Sequence, residues 1–166
     1  MTRPLIALAL AVLIAGLFAV LPGHAQTAAS PAAMSAAAPG MAMPVPANDQ
    51  LYQSFGGQAG LVTLMDDFMV RLLADPRTGP HFQPSNQQRV KEQLVDQFCA
   101  LGGGPCVYRG ADMKSAHANL DIRKSDFHAL VEVLQQSMDA RGIPFRRQNE
   151  MLALLAPMNR DTITVK

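Results

Sequence analysis

What this sequence lacks narrows it first. Of its 14 Lys and Arg only Arg3 precedes Asp49, and the 13 that follow are matched by 13 Asp and Glu. With no net charge from Asp49 onward, no basic stripe and no interleaved row of aromatics, nucleic-acid binding has no footing. No strand-like alternation occurs before the last few residues, which argues against a sheet, and there is no internal repeat. Residues 26–48 carry no charge and are almost entirely Ala, Pro, Met, Ser and Gly. Such a segment has little to bury and reads as a disordered or partly polyproline linker. Its three methionines, Met34, Met41 and Met43, stand without a histidine, which favours a spacer over a copper site.

Ahead of the linker, Arg3 is followed by an apolar run from Leu5 to Leu21 and then by Pro-Gly-His-Ala. That is the layout of a signal peptide over residues 1–25, cleaved after Ala25. The alternative is an uncleaved membrane anchor, since the run is close to bilayer-spanning length. No cysteine sits at the cleavage point, so a lipoprotein anchor is not indicated. The expected location is outside the cytoplasm, in a periplasm, with membrane contact only if the leader is retained.

Residues 49–166 are enough for one compact core, and their periodicity is helical throughout. Asp49–Phe55 is a short first helix stopped by Gly56-Gly57. A second, about Gln58–Asp75, places Leu61, Leu64, Met65, Phe68, Met69, Leu72 and Leu73 on one stripe. Asp75-Pro76 ends it, and the loop PRTGPHFQP carries Phe82, an aromatic placed to plug the core. Ser85 is the expected N-cap of the next helix, with Gln88 as capping-box partner. On that helix Val90, Leu94, Gln97 and Leu101 share a face with Phe98 at its edge. A glutamine among aliphatics must find partners, because burying its amide unsatisfied costs about 1–3 kcal/mol. Ser125 is expected to cap a long helix to about Arg141 with Phe127, Leu130, Val131, Leu134 and Met138 inward. The last helix, roughly Pro144–Ala156, follows the break at Gly142-Ile143-Pro144 and takes Pro at its first position. Thr162–Lys166 reads as a tail.

Between these helices lies GGGPCVYRGADMKSAHANLDI, Gly102–Ile122. Its glycines and proline stop any helix through Gly102–Pro105. A short helical pattern then sets Met113, His117 and Leu120 on one face. By spacing alone, a histidine in that position is more often a packed core residue than a ligand. The stretch resembles the Gly-Gly-Pro, Tyr-x-Gly, Met and His pattern of group I truncated hemoglobins. LYQSFGG, FMVRLLADPR, DFHALVEVL and the Gly142-Ile143-Pro144 break resemble further family segments, in order across Leu51–Asp161.

The resemblance implies an all-α truncated globin, a two-over-two helical sandwich around haem b. It makes His117 the proximal iron ligand and Phe82 the corner phenylalanine against the haem. Tyr108 falls near a haem propionate, and Met113, Ile122 and Phe127 line the proximal side. A neutral imidazole on iron leaves the sixth position open to a small ligand. The distal side departs from the family: Met69 stands where many members have tyrosine, and Val90 and Leu94 at positions that often carry glutamine. Losing such a donor to a partly charged ligand costs about 1.5–3 kcal/mol, roughly ten- to a hundredfold in affinity. Gln93 and Gln97 are the candidate substitutes, Gln97 preferred because it shares the Val90/Leu94 stripe, with Phe98 beside it.

Cys99 and Cys106 frame the glycine turn, and in an exported protein two cysteines so close suggest a disulfide. The alternative, a zinc set of Cys99, Cys106, His117 and His128, lacks the close cysteine pair of structural sites. No CxxCH occurs, so covalent c-type attachment is not indicated. His81 and His128 read as loop or surface residues, His81 alternatively facing a propionate. The functional expectation is reversible binding of dioxygen, carbon monoxide or nitric oxide. One alternative is a nitric oxide dioxygenase or peroxidase drawing on an external reductase. Others are His–Met electron transfer through Met69 and a cofactor-free helical domain.

Overall fold

The computed structural model describes residues 46–165. The leader at 1–25 and nearly all of the linker therefore lie outside the described residues. Among those described there is no strand, and no helix is long and apolar enough to cross a membrane. The elements are α1 (Gln50–Ser54), α2 (Gly57–Ala74), α3 (Gly79–Phe82), α4 (Gln87–Leu101), α5 (Met113–His117), α6 (Lys124–Ala140), α7 (Phe145–Leu155), a 3-10 turn (Ala156–Met158) and α8 (Asn159–Thr162). The α2–α4 pair packs over the α6–α7 pair, the two-over-two arrangement expected.

The stripe on α2 supplies the centre: Leu61, Leu64, Met65, Phe68, Met69 and Leu72 are all buried. Each such side chain stabilises the fold by about 1.5–3 kcal/mol relative to exposure. From α4 come Val95, Phe98, Cys99 and Leu101, and from α6 Ala129, Val133, Leu134 and Met138. Phe98 meets Phe55 edge-to-face at 6.3 Å between ring centroids, a favoured aromatic geometry. Between α6 and α7, buried Gln148 donates to Asp139 (2.7 Å) and to the Ile143 carbonyl (2.8 Å).

Several local expectations are corrected. Asn86, not Ser85, caps α4, its side chain accepting from the Arg89 N–H at 3.0 Å. The Ser85 hydroxyl instead closes the preceding turn by donating to the Phe82 carbonyl at 2.6 Å. On α6, Arg123 is the capping position, and Asp126 accepts its N–H at 2.9 Å, leaving Ser125 within the first turn. Pro144 precedes α7 rather than opening it. Leu120 lies beyond α5 and is exposed, so it does not share the face of Met113 and His117.

The glycine triad has a purpose beyond breaking a helix. Gly102 accepts from the Tyr52 N–H at 2.9 Å, and a Cβ there would sit 2.9 Å from that same nitrogen. At Gly103, where φ is +82°, a Cβ would overlap the Asn48 carbonyl. At Gly104 it would lie 2.6 Å from Cys99 Sγ and 2.7 Å from the Tyr52 ring. The end of α4 is thus glycine because α1 lies directly on its backbone. Cys99 and Cys106 are joined as a disulfide with Cα atoms 5.8 Å apart, fastening the buried end of α4 to the segment leading into α5.

Two outcomes follow. Reducing this disulfide lowers unfolding stability by about 2–3 kcal/mol through the loop entropy restored to the unfolded chain; an unchanged denaturant midpoint with reductant would contradict it. Gly103→Ala costs more than about 1 kcal/mol, since it adds a Cβ at positive φ against backbone, as read from the same denaturation curve.

Candidate functional site

Five residues make α5, too few to be a stable helix alone, so its ends decide whether His117 is placed. At its start Asp112 caps the turn, Oδ1 accepting from the Ser115 N–H (2.9 Å) and Oδ2 from the Ser115 hydroxyl (2.6 Å). The Ser115 hydroxyl, and then its N–H, hold the Asp112 carboxyl below its ordinary range. The stability this cap adds is present above the ordinary carboxylate range and is lost as pH falls through the lowered value. Just upstream the Tyr108 hydroxyl donates to the Ala111 carbonyl at 2.9 Å. Burial, with the Asp112 charge adding, pushes the phenol up, so it remains a donor at neutral pH.

His117 itself is half-buried, with Nδ1 2.7 Å from the Met113 carbonyl. A carbonyl oxygen can only accept, so Nδ1 carries the proton. In the neutral ring Nε2 then presents its lone pair. A histidine ligand whose other ring nitrogen donates to a backbone carbonyl is the arrangement that fixes tautomer and ring orientation at metal sites. That donor chemistry fits haem iron.

Several apolar side chains of the longer helices are only part-covered. On α6 the fully buried face runs through Ala129, Val133 and Met138, while Phe127, Leu130 and Val131 are only half-covered. The same holds for Val90 and Leu94 on α4, Phe82 on α3, and Leu154 and Leu155 on α7. Of these, Phe82, Leu94, Leu130, Leu154 and Leu155 pack on the core with part of their surface outward. Met113 and Ile122, flanking His117, are buried. His81, beside Phe82, is half-buried with Nε2 3.6 Å from Asp126, so it links the corner to the start of α6. His128 is exposed.

The polar candidates separate. Gln97 is 5% exposed and its amide donates to Met158 Sδ at 3.3 Å, a weak acceptor. Gln93 instead turns to the segment before α5: a Cβ on Gly110 would overlap both Gln93 Oε1 and the Tyr108 hydroxyl. Its Oε1 is buried with no hydrogen-bond partner. The orphaned Oε1 is an acceptor that calls for a donor, and the Tyr108 proton beside it is already given to the Ala111 carbonyl. Met69 lines a cleft of about 350 Å³ between α2 and α4, together with Asp66, Leu73 and Lys91. With both sulfurs in the disulfide, the zinc alternative has lost its ligands. Among the described residues no three His, Cys, Asp or Glu side chains gather as a metal set.

Two partners were not foreseen. Met158 continues the Met151/Leu155 face into the 3-10 turn, a spacing that was readable. Thr164 pairs with Ile122, and the alternation in the last few residues was its only signal.

Comparison with known proteins agrees with this geometry. The bacterial-like globin family profile matches residues 50–164. A group 1 truncated hemoglobin GlbN of Mycolicibacterium paratuberculosis is 32% identical over 114 residues, covering 69% of this chain and 84% of that protein. The group 1 truncated hemoglobin of Tetrahymena thermophila is 26% identical, covering 68% of this chain and 93% of its own. Among solved structures, the Fe(III) form of Tetrahymena pyriformis truncated hemoglobin superposes with a TM-score of 0.65 at 25% identity, covering 68% of this chain and 97% of that one. A one-turn helix presenting an imidazole and a match spanning nearly all of the described residues lead to one assignment: the chain belongs to the bacterial-like globin family, as a group 1 truncated hemoglobin.

Proposed function

We propose that the protein holds haem b through His117 Nε2 and reversibly binds dioxygen, carbon monoxide and nitric oxide outside the cytoplasm. The observation that carries this reading is the Nδ1 bond from His117 to the Met113 carbonyl, which leaves the Nε2 lone pair free to bind a metal. Haem supplies an iron centre with one coordination position open to a diatomic ligand. The chain's own residues do the rest. Phe82, Val90, Leu94, Phe127 and Leu130 offer the apolar cover that excludes water. Tyr108 and Gln93 stand together at the edge where a propionate would lie, and Met113 and Ile122 back the imidazole.

On the distal side Met69, Val90 and Leu94 provide no donor to a ligand that gains negative charge when bound. Gln97 is the nearest replacement by sequence face. Its present partner, the Met158 thioether, is weak enough to be exchanged for a better acceptor. The periplasmic location rests on the Arg3–Ala25 leader alone.

Replacing His117 with Gly abolishes or shifts the Soret band of the reconstituted protein, and added imidazole restores it; a spectrum indifferent to the substitution would end the haem reading. Gln97→Leu speeds dioxygen release about ten- to a hundredfold, the cost of one hydrogen bond to a charged acceptor. Stopped-flow displacement of dioxygen by carbon monoxide reads this directly, and an unaltered rate would exclude Gln97 as the donor.

A further inference from the structure

The chain leaving His117 is held in an unusual way. Its carbonyl accepts from the Leu120 N–H at 3.3 Å, and the next residues include two non-glycine positions at positive φ, Asn119 at 64° and Asp121 at 50°. Asn and Asp tolerate that region better than other side chains, but not freely. Such backbone persists where its surroundings hold it.

The holding group is distant in sequence. The Ile122 N–H donates to Thr164 Oγ1 at 2.8 Å, while the Ile122 carbonyl accepts from the Thr164 and Val165 N–H groups at 2.9 and 3.0 Å. Both backbone groups of Ile122 are thereby taken by residues 42 and 43 positions further on. The tail is itself anchored: the Thr162 hydroxyl donates to the Met158 carbonyl at 3.0 Å, and the Ile163 N–H to the Asn159 carbonyl at 3.0 Å. Moreover, α8 packs on α5. His117 thus stands between the Asp112 cap and this C-terminal clamp, on a helix unable to orient it unaided.

We infer that Thr164 is a positioning residue for the haem ligand: its hydroxyl, by holding Ile122, fixes the direction in which His117 presents Nε2. The inference rests on the haem reading above. It assigns Thr164 no contact with haem or gas.

The test compares full-length Thr164→Val, which keeps the shape and removes the oxygen, with Thr164→Ser, which keeps the oxygen. In Thr164→Val, amide exchange at Ile122 accelerates, and transfer of haem to an acceptor globin quickens about three- to tenfold, the worth of one ordinary hydrogen bond. The iron–histidine stretching band of the reduced protein shifts or broadens. In Thr164→Ser all three return toward wild type. In the haem-free chain the His117 imidazole resonances move in the Val variant and not in the Ser variant. Unchanged Ile122 exchange in Thr164→Val overturns the clamp. Faster exchange with an unmoved iron–histidine band and haem-transfer rate overturns its role in positioning. If the wild-type chain takes up no haem, the functional reading falls, and the haem-free exchange and imidazole resonances still decide the clamp.

Discussion

A single hydrogen bond, from His117 Nδ1 to the Met113 carbonyl, decides which nitrogen of this imidazole keeps a free lone pair. An imidazole has two nitrogens and in its neutral form one proton. Placing that proton on Nδ1 leaves the other nitrogen with a lone pair and no proton to donate. The acceptor is one helical turn back, so the bond exists only while the five-residue α5 keeps its shape. Everything around α5 can be understood as maintaining that turn: the Asp112 cap before it, the Tyr108 hydroxyl on Ala111 upstream, and the left-handed residues and Ile122 after it.

The larger helices contribute the frame. The α2 stripe and the buried faces of α4 and α6 close a core that needs nothing further, as Leu61, Leu64, Leu72 and Met138 show by their complete burial. Apolar residues left over on α3, α4, α6 and α7 are what makes the molecule more than a helical sandwich. On α6, Val133 and Met138 belong to the core, while Phe127 and Leu130 are left half-covered. The disulfide links these levels, since Cys99 is a fully buried core residue and Cys106 stands on the path to Tyr108.

Much of this was legible in the residues. The α2 stripe was read correctly because 3.6-residue periodicity over eighteen residues is hard to mistake. His117 was not identifiable from spacing, which favours a packed core histidine; the surrounding Gly-Gly-Pro and Tyr-x-Gly motifs were needed. Helix starts were misplaced by one or two residues: Ser85 and Asn86 are adjacent residues of similar capping ability, and α6 starts from Arg123 through the reach-back of Asp126 rather than from Ser125. Only three-dimensional placement says which carbonyl or N–H each one reaches. On α6 the expectation held for Leu134 and Met138 but not fully for Phe127, Leu130 and Val131, because a helix with apolar residues over a broad arc gives no sequence signal for which part the protein covers. The Ile122–Thr164 pairing joins positions 42 residues apart, beyond any local pattern. Gln93 and Gln97 have the same composition and neighbouring places on α4, yet one meets Gly110 and the other Met158.

The contact between α1 and the end of α4 carries one last consequence. Gly103 meets the carbonyl of Asn48, and Gly102 the amide and Cα of Tyr52, so main chain touches main chain. When two side chains collide, a smaller one opposite can restore the fit, and such pairs drift together over time. Here no exchange at position 48 can shrink a peptide group to make room at position 103. These sites are therefore closed to compensation, and homologues that accept a side chain there must move or lose the first helix altogether.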